Sequence, residues 1–192
     1  MARTFTVSRS ILVQASPSEV YAQVSRPTQM GRWSPENLGA TVPGPDEPAE
    51  KGLVFLGHNK RGAFRWTTRC TVTAADPGSR FAFRVHAIGL KRPRLSAPIA
   101  TWEYRFEEVE VAAEAGGEGT VTRVTETWTD DRRSWPDFVA NAFDRIATRG
   151  QTFAAFQVGN IDRTLRNLKK EVGGGRRSPP GPQPSRGDGP PR

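Results

Sequence analysis

From Leu38 to Asp130 the chain alternates in character almost residue by residue, and from Trp135 onward it stops doing so. Six stretches alternate: LGATVPG, GLVFLGHN, FRWTTRCTVTAAD, SRFAFRVHAIG, IATWEYRFEEVE and GTVTRVTETWTD. A period of two places every second side chain on one face, the pattern of a strand buried on one side. Turn residues separate these stretches, in PGPDEP, NKRG, DPGS, KRPRLSAP and EAGGEG. Near the start, FTVSRSILVQ predicts a further strand over residues 4–14. Seven strands joined mostly by short hairpins make an antiparallel meander the simplest topology.

Helical signals lie on either side of this run. In ASPSEVYAQVS, Ser16 suits an N-cap, Pro17 the first helical position and Glu19 the capping box, with Val20, Tyr21 and Val24 on one face. The residue before a proline disfavours the helical region, so this helix should end near Arg26-Pro27. TQMGRW then reads as a second short helix or turn, closed at Ser34-Pro35. After Trp135 the apolar residues Phe138, Ala142, Ile146, Phe153, Phe156, Leu165 and Leu168 follow helical spacing, with Ser134 a candidate cap and Asp137 three residues beyond it. Gly150 predicts a break near Thr148–Gly150 and a main helix over residues 151–171.

One curved sheet of seven strands therefore has a face to cover and only one long helix to cover it. A single helix does not fill such a concavity, and an internal cavity is expected. Residues 173–192, GGGRRSPPGPQPSRGDGPPR, hold too few apolar side chains to offset their ordering entropy and read as a disordered tail after a domain of residues 1–172. The formal net charge is +8. Four arginines and one aspartate of the tail account for three of these charges, and the rest are interspersed with acids. No basic stripe with interleaved aromatics stands out, so no specific nucleic-acid partner is expected. The single Cys70 rules out an internal disulfide framework. With no apolar stretch of membrane-spanning length, a cytoplasmic protein, monomeric or homodimeric, is expected.

The order of elements resembles the START, polyketide cyclase/dehydrase and lipid-transport superfamily, also called SRPBCC, whose α+β helix-grip fold wraps a seven-stranded curved antiparallel sheet around a long C-terminal helix, with two short helices after the first strand. The closer resemblance is to a bacterial subgroup. It rests on Trp33-Ser-Pro-Glu36, the Gly57-x-Asn59 hairpin end, Arg65-Trp-x-x-x-Cys70, the closing strand VTETWTDDRR from Val124 to Arg133, and a helix ending in TLRNLKK. It covers residues 4–172. The resemblance implies an apolar small molecule in the cavity, or, as an alternative, catalysis of polyketide cyclase or dehydratase type.

Alternation sorts the side chains without an alignment. Phe64, Trp66, Thr68, Cys70 and Val72 should face inward, as should Phe81, Phe83 and Val85; Trp102, Tyr104 and Phe106; and Val124, Glu126 and Trp128. Phe55, Gly57 and Asn59 are placed inward as well, leaving His58 and His86 outside. Candidate ligand contacts are Trp33, Phe55, Asn59, Trp66, Thr68, Phe83, Trp102, Tyr104, Glu126, Trp128 and Phe153. Trp33 reads either as a hinge anchor or as a pocket wall, and Glu36 as a cap or the partner of an arginine.

Glu126 differs from the other inward residues. A carboxylate on a core face costs several kcal/mol unless paired or protonated. Either an arginine of the long helix satisfies it, or it faces a wet cavity. A desolvated glutamate has a raised pKa and acts as acid or base near neutral pH, which makes Glu126 and Tyr104 the candidate catalytic pair. Neither histidine stands at metal-ligand spacing from another ligand, and no Gly-rich phosphate loop opens a helix, so no metal or cofactor is expected. Cys70 reads as a small core thiol, and Asp130, Asp131, Arg132 and Arg133 as a solvated or helix-capping cluster.

Overall fold

The computed structural model describes residues 3–110, 120–148 and 150–174, without the side chains at 143, 146 and 147. Most of the expected tail, the turn expected at 114–119 and the packing expected of Ile146 lie outside the described residues.

The strands are β1 (Thr6–Val13), β2 (Asn37–Thr41), β3 (Val54–Arg61), β4 (Phe64–Asp76), β5 (Arg80–Gly89), β6 (Leu95–Val109) and β7 (Val121–Asp130). The helices are α1 (Pro17–Val24), a short 3-10 helix (Pro27–Arg32), α2 (Asp137–Thr148) and α3 (Phe153–Gly174). All seven strands form one antiparallel sheet in the order β1-β7-β6-β5-β4-β3-β2. Strands β2 to β7 are the expected meander. Strand β1 closes the far edge on β7, with Val7 opposite Trp128 and Val13 opposite Thr122. The chain crosses from one edge of the sheet to the other through α1 and the 3-10 helix. This is the helix-grip α+β architecture.

Local chemistry sets these boundaries. Ser16 and Glu19 form the reciprocal capping box, with Glu19 N–H on Ser16 Oγ (3.3 Å) and Ser16 N–H on Glu19 Oε2 (2.7 Å). Arg26, ahead of Pro27, is extended at φ −104° and ψ 98°, as proline requires of its predecessor. Gly150, at φ +98°, turns the chain between α2 and α3. Along α3, Ile161, Leu165 and Leu168 are buried at helical spacing and pack with Val13, Val20, Val24 and Val124.

Three expectations need correction. Within KRPRLSAP only the first half is a turn. The strand pairing resumes at Ile88 opposite Leu95, because the register shifts between Val85 and Ala87 and absorbs extra residues of β6. That bulge reverses which alternate positions face the concave side, so a strict period of two missed it. Helix α2 does not start at Ser134. Its first helical hydrogen bond runs from Ala140 N–H to the carbonyl of Pro136. Its buried stripe is Ala140, Asp144 and Thr148, and Phe138 is 76% exposed.

The polar members of that stripe answer to the third correction. Asp130 and Arg132 are not solvated but 2% exposed each. Arg132 donates to both oxygens of Asp130 (2.9 and 2.8 Å) and to Asp144 Oδ1 (2.8 Å). Arg3 adds a bond to Asp130 Oδ2 (2.8 Å), and Asp144 Oδ2 accepts from Phe153 N–H (3.1 Å). One buried network thus joins the chain's start, the end of β7, α2 and the first turn of α3. Burial works to raise the Asp130 carboxyl, but the guanidinium bonds outweigh it and hold the group below its ordinary value.

Candidate functional site

A cavity of about 770 Å3 lies between the concave face of the sheet and α3, within the range of small-molecule sites. Strand alternation supplies its walls. From β3 come Phe55, Gly57 and Asn59; from β4, Trp66, Thr68 and Cys70; from β5, Phe83 and Val85. Trp102 and Tyr104 of β6 and Glu126 and Trp128 of β7 complete the sheet side, and Phe153, Gln157 and Asn160 of α3 form the roof.

The mouth lies where two hairpins end. Phe64, Leu90 and Leu95 line it while 58%, 66% and 55% exposed, so these large apolar groups face water at the entrance. Beside them Arg61 makes a two-point bond to Glu36, with Arg61 Nη2 2.9 Å from Glu36 Oε2. The guanidinium also lies 4.0 Å from the Phe156 ring centroid and 5.5 Å from that of Trp66. Glu36 therefore takes an arginine, one of the two roles open to it in the sequence.

The sides hold one polar patch that satisfies itself. Asn37 donates to Asn59 Oδ1 (3.4 Å), and Asn59 Nδ2 donates to Thr68 Oγ1 (3.4 Å). Gly57 lets the patch close up: a Cβ there would stand 2.8 Å from Thr68 Oγ1. Cys70, 2% exposed, has its thiol pushed up to about 12 by burial, against weaker opposing hydrogen bonds, so it is inert.

The deep end is different. Tyr104 and Glu126 stand directly opposite each other on β6 and β7, and the Tyr104 hydroxyl donates to Glu126 Oε1 at 2.8 Å. Glu126 is 1% exposed, and its Oε2 has no hydrogen-bond partner among the described residues. Of the two environments open to Glu126, the arginine of α3 is not the one found. Arg9, opposite Glu126 on β1, is directed instead to the Ser8 carbonyl (2.9 Å) and to Asp162 (3.8 Å). Desolvation raises the Glu126 carboxyl to about 8, with the Tyr104 bond opposing, and burial and then the neighbouring carboxylate raise the Tyr104 phenol well above its ordinary value. Near neutral pH the pair holds both protons.

A family model described as polyketide cyclase / dehydrase and lipid transport matches residues 4–173. The chain belongs to that family. Solved structures agree on the fold. The Polyketide_cyc-like protein of Corynebacterium glutamicum is 25% identical with a TM-score of 0.55, over 93% of this chain and 99% of its own. XoxI of Bacillus cereus is 12% identical with a TM-score of 0.56, over 88% and 96%. The major latex-like protein 151 of Panax ginseng is 11% identical with a TM-score of 0.50, over 88% and 99%. No curated protein matches the chain.

Ten of the eleven candidate contacts line this family member's cavity: Phe55, Asn59, Trp66, Thr68, Phe83, Trp102, Tyr104, Glu126, Trp128 and Phe153. Trp33 does not. It is 2% exposed in the core, and its carbonyl accepts from Asn167 Nδ2 (3.0 Å), which ties the 3-10 helix to α3. Of its two readings the hinge anchor is the one that fits. Arg61, Arg132, Gln157 and Asn160 also line the cavity but were not among the candidate contacts. Gln157 and Asn160 left a signal there, since they stand four and seven residues after Phe153 on the helix's inner face. Among the described residues no helix is long and apolar enough to cross a membrane, and no cluster of His, Cys, Asp or Glu is arranged for a metal ion.

Proposed function

We propose that this protein binds a hydrophobic small molecule, lipid-like or aromatic and polyketide-like, inside the cavity between sheet and α3. The observation that carries the reading is the cavity itself: about 770 Å3 of space, walled mainly by aliphatic and aromatic side chains and open at an apolar mouth. Filling such a space gains about 25 cal/mol for each Å2 of apolar surface removed from water. The family's description, which includes lipid transport, supports the same reading. Native mass spectrometry of the purified protein, followed by organic extraction, tests it. A stoichiometric apolar ligand is the expected result. An empty protein that also takes up no member of an apolar panel would end the reading.

A second reading has one observation in its favour. The Tyr104–Glu126 pair is a buried acid titrating near neutrality beside the space for a ligand, the arrangement a cyclase or dehydratase needs for moving protons. Under that reading Glu126→Gln abolishes turnover; under the binding reading it leaves affinity for an apolar ligand largely intact.

A further inference from the structure

The polar patch on the sides of the cavity satisfies itself, whereas the closed end leaves polar atoms unmet among the described residues. Leu95 stands at the mouth and Tyr104 lies nine residues farther along β6, on the order of 30 Å of extended strand. There Glu126 Oε2 is buried without a partner among the described residues. Asn160, 4% exposed and lining the same cavity from α3, gives its amide nitrogen to Gln157 Oε1 (3.1 Å) and leaves its own Oδ1 unpartnered.

Two anchors fix how α3 lies over this region. Phe153 stacks on Trp128 with ring centroids 6.3 Å apart, and Asp162 pairs with Arg9, which stands opposite Glu126. The turn carrying Gln157 and Asn160 falls between these anchors, over the part of β7 that carries Glu126. An unsatisfied buried polar atom is destabilising, and two of them lining one ligand-sized space point to a group that meets both.

We propose that the closed end of the cavity is a seat for one uncharged hydroxyl group, so that the ligand is an otherwise apolar alcohol or phenol that enters hydroxyl first. This rests on the apolar-ligand reading above and narrows it. The hydroxyl donates to Asn160 Oδ1 and accepts from the protonated Glu126 Oε2, while Tyr104 holds the other carboxyl oxygen. A hydrocarbon leaves both atoms unmet. A carboxylate has to bury its charge in this desolvated space and is rejected. Selection therefore follows the ligand's polar end, and the aromatic walls tolerate variation along its body.

The test uses three fluorescent probes of one skeleton: 1-hydroxypyrene, 1-methylpyrene and 1-pyrenecarboxylate, titrated into the full-length protein at about pH 6.5. A purely apolar cavity favours the methyl compound, because burying an unmet hydroxyl is unfavourable. The seat predicts the reverse, with hydroxypyrene roughly tenfold or more tighter than either other probe. That preference disappears in Glu126→Leu and in Asn160→Leu and survives in Glu126→Gln, which keeps a donor and an acceptor. Circular dichroism and thermal melting confirm that each variant is folded, and either leucine variant alone suffices. If methylpyrene binds as tightly as hydroxypyrene in the unaltered protein, or the ratio is unchanged in a folded leucine variant, the hydroxyl seat is wrong while the cavity reading stands. If no probe binds, both are wrong.

Discussion

The most demanding consequence of the site concerns the pH dependence of folding, and Glu126→Gln isolates it. The Glu126 carboxyl rises from an ordinary 4.5 in the unfolded chain to about 8 in the folded one. Between these values the native state holds a proton that the unfolded state has lost. Stability from this group is thus full below about pH 4.5 and is lost as pH rises toward and through 8. Integrating the two titrations between pH 5 and pH 9 gives a loss of roughly 4 kcal/mol, at about 1.36 kcal/mol per pKa unit. Against a total stability of about 5–15 kcal/mol that is a large share. Glutamine has nearly the same shape, keeps an oxygen for the Tyr104 hydroxyl and does not titrate. Urea unfolding at constant ionic strength, repeated from pH 5 to pH 9, should show the two proteins diverging as pH rises, with the unaltered protein falling behind. With a urea slope of about 2 kcal/mol/M, the gap between midpoints widens by on the order of 2 M. Other titrating groups are common to both proteins and cancel. Parallel pH profiles would refute the claim that Glu126 is buried and neutral.

Features away from the closed end carry further predictions. Arg132→Met leaves Asp130 and Asp144 buried without their shared cation and should cost about 3–5 kcal/mol, read as a lowered denaturation midpoint; a change under about 1 kcal/mol would mean the network is not formed. Gly159 is exposed within α3, and a methyl group added there meets no neighbouring atom, so Gly159→Ala should stabilise by about 0.5–1 kcal/mol and raise Tm by a few degrees. Gly57→Ala should lower stability and disturb the Asn59–Thr68 contact, visible as shifted amide resonances of those residues, because the new methyl meets Thr68 Oγ1. Cys70 should resist thiol reagents at pH 8 in the native protein and react at once in urea; rapid native labelling would contradict its burial and raised pKa.

The strand pattern was legible because each strand has one face on a continuous core. Phe81, Phe83 and Val85 announce β5 by themselves, and the capping box at Ser16 and Glu19 announces α1, since both are written in residues close together in the chain. The bulge in β5–β6 was not legible. It is a mismatch between two strands, and neither strand alone carries a mark of it. The misread of Asp130 and Arg132 has a similar origin. DDRR is a solvated pattern when taken locally, and only Asp144, twelve residues on, together with Arg3 at the chain's start, makes its burial tolerable.

Glu126 shows how far such reading reaches. Alternation placed its carboxyl on the inner face, and the cost of burying a charge left two ways out, a cation or a wet cavity. Cross-strand register then decided between them, for it sets the Tyr104 hydroxyl opposite Glu126 and directs Arg9 away toward Asp162. A neutral hydroxyl satisfies one carboxyl oxygen and supplies no charge, so the acid keeps its proton and the second oxygen stays unmet among the described residues. The same argument explains why Gln157 and Asn160 sit on the inner face of α3, where leucines would fill space better. They line the same cavity as Glu126, so the polar groups of helix and sheet share one space, and a ligand group is what would bond the atoms left unmet there. The polar end of the cavity is thus a property of two elements far apart in sequence, and substitutions on either one should change ligand preference together.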